Sequence, residues 1–120
     1  MSNKTRPMSK ALLEQLADRF KALAEVNRLN VLSALRQGEM TVTELIDETH
    51  LGQANLSKHL TQLHRLGFVA RRKEGLNVYY RLQDQDVFRI CDIMCGRLER
   101  EAHARHAALG PSTRGRRRAG

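Results

Sequence analysis

The sequence predicts a mainly α fold with one small β-hairpin. Three features point there. Apolar residues recur at helical spacing over most of the chain. A Thr-x-x-Glu pattern opens a short helix, which a Leu-Gly turn joins to a helix with one polar face. The period of the apolar residues then changes from about 3.6 to 2 across a cationic segment, as expected where helix gives way to strand.

The first helix covers about residues 10–24, because Leu12, Leu13, Leu16, Phe20 and Leu23 fall on one stripe. A second helix follows with Leu29, Leu32 and Leu35 inward, and Gly38 is suited to stop it. Thr41-Val42-Thr43-Glu44 is a capping-box pattern. The Thr41 hydroxyl can accept from the Glu44 N–H while the Glu44 carboxylate reaches back to the Thr41 N–H. This opens a short third helix with Leu45 and Ile46 inward, ending near Thr49-His50. After the turn at Leu51-Gly52, a fourth helix runs from Gln53 to about Leu66. Its Leu56, Leu60 and Leu63 share a face, while Asn55, Ser57, Lys58, His59 and Gln62 lie largely off it.

Gly67 ends that helix. Leu76, Val78, Tyr80 and Leu82 then alternate with Asn77, Tyr79 and Arg81, the pattern of a half-buried strand. Phe68 to Lys73 is its partner, with Glu74-Gly75 as the turn because glycine tolerates positive φ. A last helix spans about Gln85 to Ala108, with a stripe of Val87, Cys91, Met94, Cys95 and Leu98 and with Phe88 and Ile90 alongside. One domain is expected over 10–109, between a flexible N-terminus at 1–9 and a disordered Arg-rich tail at 110–120.

The 120 residues carry a net charge of +8, and its distribution is informative. Lys58, Arg65, Arg71, Arg72, Lys73 and Arg81 face Glu74 alone between His50 and Leu82. A concentrated positive field attracts polyanions. No stretch approaches the roughly 18 apolar residues that span a bilayer, and Met1 to Lys10 lacks an apolar signal region. A cytoplasmic protein without membrane association is expected. Two cysteines make no disulfide framework. No His–carboxylate partner for a cysteine, Cys-x-x-Cys pair or phosphate loop is implied, so an enzyme is not expected.

A short helix joined by a tight turn to a polar-faced helix can place the second helix in the major groove of duplex DNA. Gln53 and Asn55 suit bidentate contact with adenine, and Lys58 suits a guanine edge or a phosphate. Ser57 and His59 can donate to phosphate or base, and Gln62 extends the polar face. Arg71, Arg72 and Lys73 fit phosphate or minor-groove contact from a hairpin wing. The competing reading is a solvated helix face and an edge strand guarded by charge. The succession of both elements favours DNA, and the architecture is a winged helix-turn-helix.

Segment 11–100, about three quarters of the chain, resembles the ArsR/SmtB family of winged-helix repressors. The resemblance rests on Leu16-Ala17-Asp18 to Leu23-Ala24, Asn27 to Leu32 and Glu39 to Leu45. It rests further on Gln53-Ala54-Asn55-Leu56-Ser57-Lys58-His59-Leu60, Leu66 to Val69 and Val78-Tyr79-Tyr80-Arg81-Leu82. It implies a homodimer built from the first and last helices, operator binding without inducer, and release when an inducer binds. Many arsenic- or cadmium-sensing members carry a Cys-Val-Cys pattern where this chain has Thr41 and Thr43, poor ligands for soft metals. The zinc positions of other members fall on Asp84, Asp86, Arg97 and Arg100, and two arginines cannot ligate a cation. Neither family site is expected here.

Cys91 and Cys95 lie four apart on one helix face. In the implied dimer up to four thiols would approach one axis and could take a soft metal or metalloid ion, or react with oxidants or polysulfides. Equally, each can be a small inert apolar residue in a helix seam. No other cofactor is implied. His103 and His106, with Glu99, are a candidate secondary metal site, against the simpler reading of an exposed helix end. The expected function is an inducer-released operator repressor. The alternative is a winged-helix DNA-binding or protein-interaction module with no metal or redox response.

Overall fold

The computed structural model describes residues 7–109, so the expectations for residues 1–6 and 110–120 lie outside the described residues. The chain divides into two compact units between Asp84 and Gln85. The first holds helices α1 (Lys10–Leu23), α2 (Val26–Leu35), α3 (Val42–Thr49) and α4 (Gln53–Arg65). It also holds strands β1 (Met40–Thr41), β2 (Val69–Glu74) and β3 (Asn77–Leu82). The second is the helix α5 (Asp86–Leu109).

Caps set the helix starts. Leu12 N donates to Ser9 Oγ at 3.1 Å to open α1, and Arg28 N donates to Glu25 Oε1 at 3.1 Å to open α2. The capping box of α3 forms as expected. Glu44 N donates to Thr41 Oγ1 at 3.2 Å, and Thr41 N donates to Glu44 Oε1 at 2.8 Å. His50 takes a left-handed conformation (φ 63°) to end α3. Thr49 stitches the following turn together. Its hydroxyl donates to Leu45 O at 2.6 Å and accepts from Leu51 N at 3.3 Å, while Asn30 Nδ2 donates to Thr49 O at 3.0 Å.

The core of the first unit is aliphatic. Leu32, Leu45, Leu56, Leu60, Leu63, Val31 and Val69 are almost completely excluded from solvent. Each such side chain stabilises the fold by about 1.5–3 kcal/mol relative to exposure. Leu29, expected inward, remains on the surface, and Val31 fills the core instead. Only the C-terminal end of α1 is buried, at Ala22 and Leu23. Leu12, Leu13 and Phe20 are each about half exposed. In the second unit Val87 and Phe88 are buried, whereas Ile90, Ile93, Met94 and Leu98 are exposed.

The sheet has three strands in the order β1-β3-β2, all antiparallel. The hairpin turn sits one residue later than the sequence suggests. Glu74 pairs with Asn77, which leaves Gly75-Leu76 as a two-residue turn. Gly75 has φ 62° and Leu76 has no positive φ, as in a type II′ turn with glycine first. Leu76 is therefore fully exposed at the tip rather than on the inward face. β1 was not expected from sequence. Two residues are too short to show a period, and they become a strand only by pairing with Tyr79 and Tyr80.

Candidate nucleic-acid interface

The interface is built on α4. Leu56, His59, Leu60 and Leu63 form its buried stripe. Gln53, Asn55, Ser57 and Lys58 are exposed, and Gln62 is half-buried. Ala54 and Thr61 are exposed as well. Thr61 escaped the sequence reading, although its place one turn after Ser57 marks it as part of the outward face. No side chain caps α4, because Gly52 occupies the N-cap. Backbone N–H groups at such an end suit an anion.

His59 does not share that outward face. It is only 5% exposed, although its i, i+3 relation to Leu56 was legible in the sequence. Its Nδ1 accepts from Arg28 Nε at 3.2 Å, and its Nε2 lies 3.8 Å from Glu25 Oε1. An acceptor at Nδ1 places the ring proton of a neutral imidazole on Nε2, toward the carboxylate. Burial pushes the His59 pKa below its ordinary 6.5; Arg28 and Lys58 act in the same direction and Glu25 opposes them. Arg28 also donates to Ala22 O at 3.5 Å, so one guanidinium links the end of α1, the start of α2 and the inner face of α4.

The basic hairpin divides by sheet face. Paired residues share a face. Arg71 pairs with Tyr80 and Lys73 with Val78, so both cations belong to the face on which Val69, Tyr80 and Leu82 are buried. Arg72 pairs with Tyr79 on the opposite face. Its Nε and Nη2 each donate to a Glu39 carboxylate oxygen at 2.9 Å, and Nη1 donates to Glu74. Its guanidinium carbon lies 4.4 Å from the centre of the Tyr79 ring. Those hydrogen bonds hold the Glu39 carboxyl below the ordinary carboxylate range. No ion pair is found at Arg71 or Lys73 among the described residues. Glu39 was not singled out as a site residue, because its role depends on the unexpected β1.

On α5, neither cysteine forms a disulfide. Cys91 is half-buried and Cys95 exposed. His103 and His106 are exposed. Glu99 and His103 flank a surface hollow shared with Arg100, whose positive charge opposes a metal ion. Among the described residues no three His, Cys, Asp or Glu side chains gather as a metal site. Arg97 Nε donates to Glu101 at 3.3 Å, and the Thr41 hydroxyl is occupied as a helix cap.

A helix-turn-helix whose second helix exposes a polar face, followed by a two-stranded wing, defines a winged helix-turn-helix protein. The comparisons with known proteins agree. Residues 25–71 match the family model of bacterial regulatory proteins of the arsR family. The chain is 32% identical over 108 residues to the HTH-type transcriptional regulator NmtR of Mycobacterium tuberculosis, covering 90% of this chain and 85% of NmtR. It is 40% identical over 80 residues to the HTH-type transcriptional regulator Rv0324 of the same organism, covering 67% of this chain but only 35% of that longer relative. Among solved structures, the homodimeric winged helix-turn-helix DNA-binding domain of Mb0332 from Mycobacterium bovis superimposes with a TM-score of 0.68 at 34% identity. That match covers 79% of this chain and 91% of the Mb0332 chain. The protein belongs to the ArsR family of transcriptional regulators, and its relatives are regulators rather than enzymes. No described helix is long and apolar enough to cross a membrane.

Proposed function

We propose that the protein is a DNA-binding repressor that grips a two-fold-related operator as a homodimer and is released by an inducer. The observation that carries the DNA reading is the division of α4: leucines and His59 inward, Gln53, Asn55, Ser57 and Lys58 outward. A helix so anchored can enter a major groove with its N-terminal polar residues against base edges. Arg71 and Lys73 add phosphate contacts from the wing. The uncovered apolar residues of α1 (Leu12, Leu13, Phe20) and of α5 (Ile90, Ile93, Met94, Leu98) supply dimer surfaces, in keeping with the homodimeric Mb0332 domain.

The inducer reading rests on Cys91 and Cys95. They stand one turn apart beside exposed Ile90, Ile93 and Met94, where a second chain would bring further thiols. Among the described residues no third ligand gathers with them, so a soft ion of three or four ligands there would take the others from a second chain.

A mobility-shift assay tests both parts. Binding to a duplex selected by the protein from a random pool should weaken steeply with salt, because lysines and arginines displace counterions. Lys58→Ala should weaken it without unfolding the protein; unchanged binding would remove α4 from the interface. The complex is then titrated with arsenite, cadmium, zinc, peroxide and polysulfide. Release in wild type but not in Cys91→Ser/Cys95→Ser supports sensing. Release by none of them would favour a regulator without metal or redox response.

A further inference from the structure

Arg72 stands apart from its neighbours in the basic run. Its guanidinium passes over Tyr79 of the central strand and reaches Glu39, immediately before β1. The Glu39 contact is bidentate, the geometry in which arginine is most strongly oriented by a carboxylate. Glu74 takes a further N–H from the hairpin's own strand. Two acidic groups thus offset the one cation, and its fork is turned toward them. Beyond Glu39, β1 leads directly into the Thr41 cap that starts α3. The two-residue β1 offers little ladder of its own, so the side-chain bridge spans all three strands where backbone pairing is shortest.

We propose that Arg72 is a positioning residue: with Glu39, Glu74 and Tyr79 it fixes the wing to the start of the helix-turn-helix, so that Arg71 and Lys73 on the opposite sheet face, and not Arg72, meet the DNA backbone. This rests on the DNA-binding reading above. It reverses the simplest expectation for Glu39. If Arg72 were a phosphate contact, Glu39 would be a competitor, and neutralising it would free a cation and tighten binding. If Arg72 positions the wing, neutralising Glu39 loosens binding.

The test measures fluorescence anisotropy on the selected duplex at 25 °C over a series of salt concentrations, with thermal melts confirming that each variant is folded. Glu39→Gln and Arg72→Lys should each weaken binding, by up to about fivefold, the worth of one exposed ion pair. Arg72→Lys retains the charge that a phosphate needs but loses the fork and the ring contact. Arg71→Ala should lower the salt slope by about 1, as expected for a lost phosphate contact. Equal or tighter binding by Glu39→Gln, or wild-type binding by Arg72→Lys, overturns the proposal. Failure of the wild-type protein to bind any duplex, or indifference to Lys58→Ala, would instead sink the DNA reading itself.

Discussion

Replacing His59 by alanine should destabilise the protein while leaving the outward face of α4 chemically intact. The imidazole is 5% exposed and accepts the Arg28 Nε hydrogen bond. Removing it leaves a part-buried guanidinium N–H without its acceptor, at about 1 kcal/mol, the lower end of the range for an unmet buried polar group. Loss of the ring's own burial adds about 1 kcal/mol. Roughly 2 kcal/mol is a large share of the 5–15 kcal/mol that holds a domain together. It should lower the melting temperature by about 10 °C for a unit of this size. His59→Asn places an amide oxygen near the position of Nδ1 and should recover about half of the loss.

The same residue gives the stability a pH dependence. The folded pKa lies below 6.5, so as pH falls the unfolded chain takes up the proton before the folded chain does. The contribution is therefore complete above pH 6.5 and declines as pH drops from there toward the lower folded value, at no more than about 1.4 kcal/mol per pH unit. Burial of the ring sets this window first; of the charged groups, Glu25 opposes the lowering and Arg28 and Lys58 add to it. Urea melts of wild type and His59→Asn between pH 7.5 and 5 at fixed protein concentration measure it. The Asn variant should lack this part of the slope. A His59→Ala protein that melts with wild type but binds DNA with a reduced salt slope would refute the reasoning, since the ring would then be facing phosphate.

Three further outcomes are expected. Leu56→Ala empties a fully buried site at the centre of the α4 stripe and should cost about 2–5 kcal/mol in chemical denaturation. Thr41→Ala removes the hydroxyl half of the capping box and should cost about 1 kcal/mol, recovered by Thr41→Ser. Phe20→Asp places a charge on an α1 side chain that is about half exposed in the single chain; it should shift sedimentation from dimer toward monomer if that face is the interface, and an unchanged dimer would locate the interface elsewhere.

What the sequence alone determined is what arises between near neighbours. Helix positions, the Thr41–Glu44 box and the polar exposure of Gln53 to Lys58 all follow from spacings of three or four residues, which repeat along the chain and can be read from it. The inward set of α4 was legible for its leucines by the same rule. His59 obeys the rule too, and its polarity concealed this: a histidine can be buried only because a partner 31 residues away satisfies it. Tertiary structure alone decided the rest. β1 exists only through its pairing with β3, the turn moved to Gly75-Leu76 through the register of the hairpin, and Arg72 found a partner 33 residues away in Glu39. Similar cations in adjacent positions thereby came to lie in different surroundings. Alternation separates them, but which face carries an acceptor is set by strands that meet only when the chain folds.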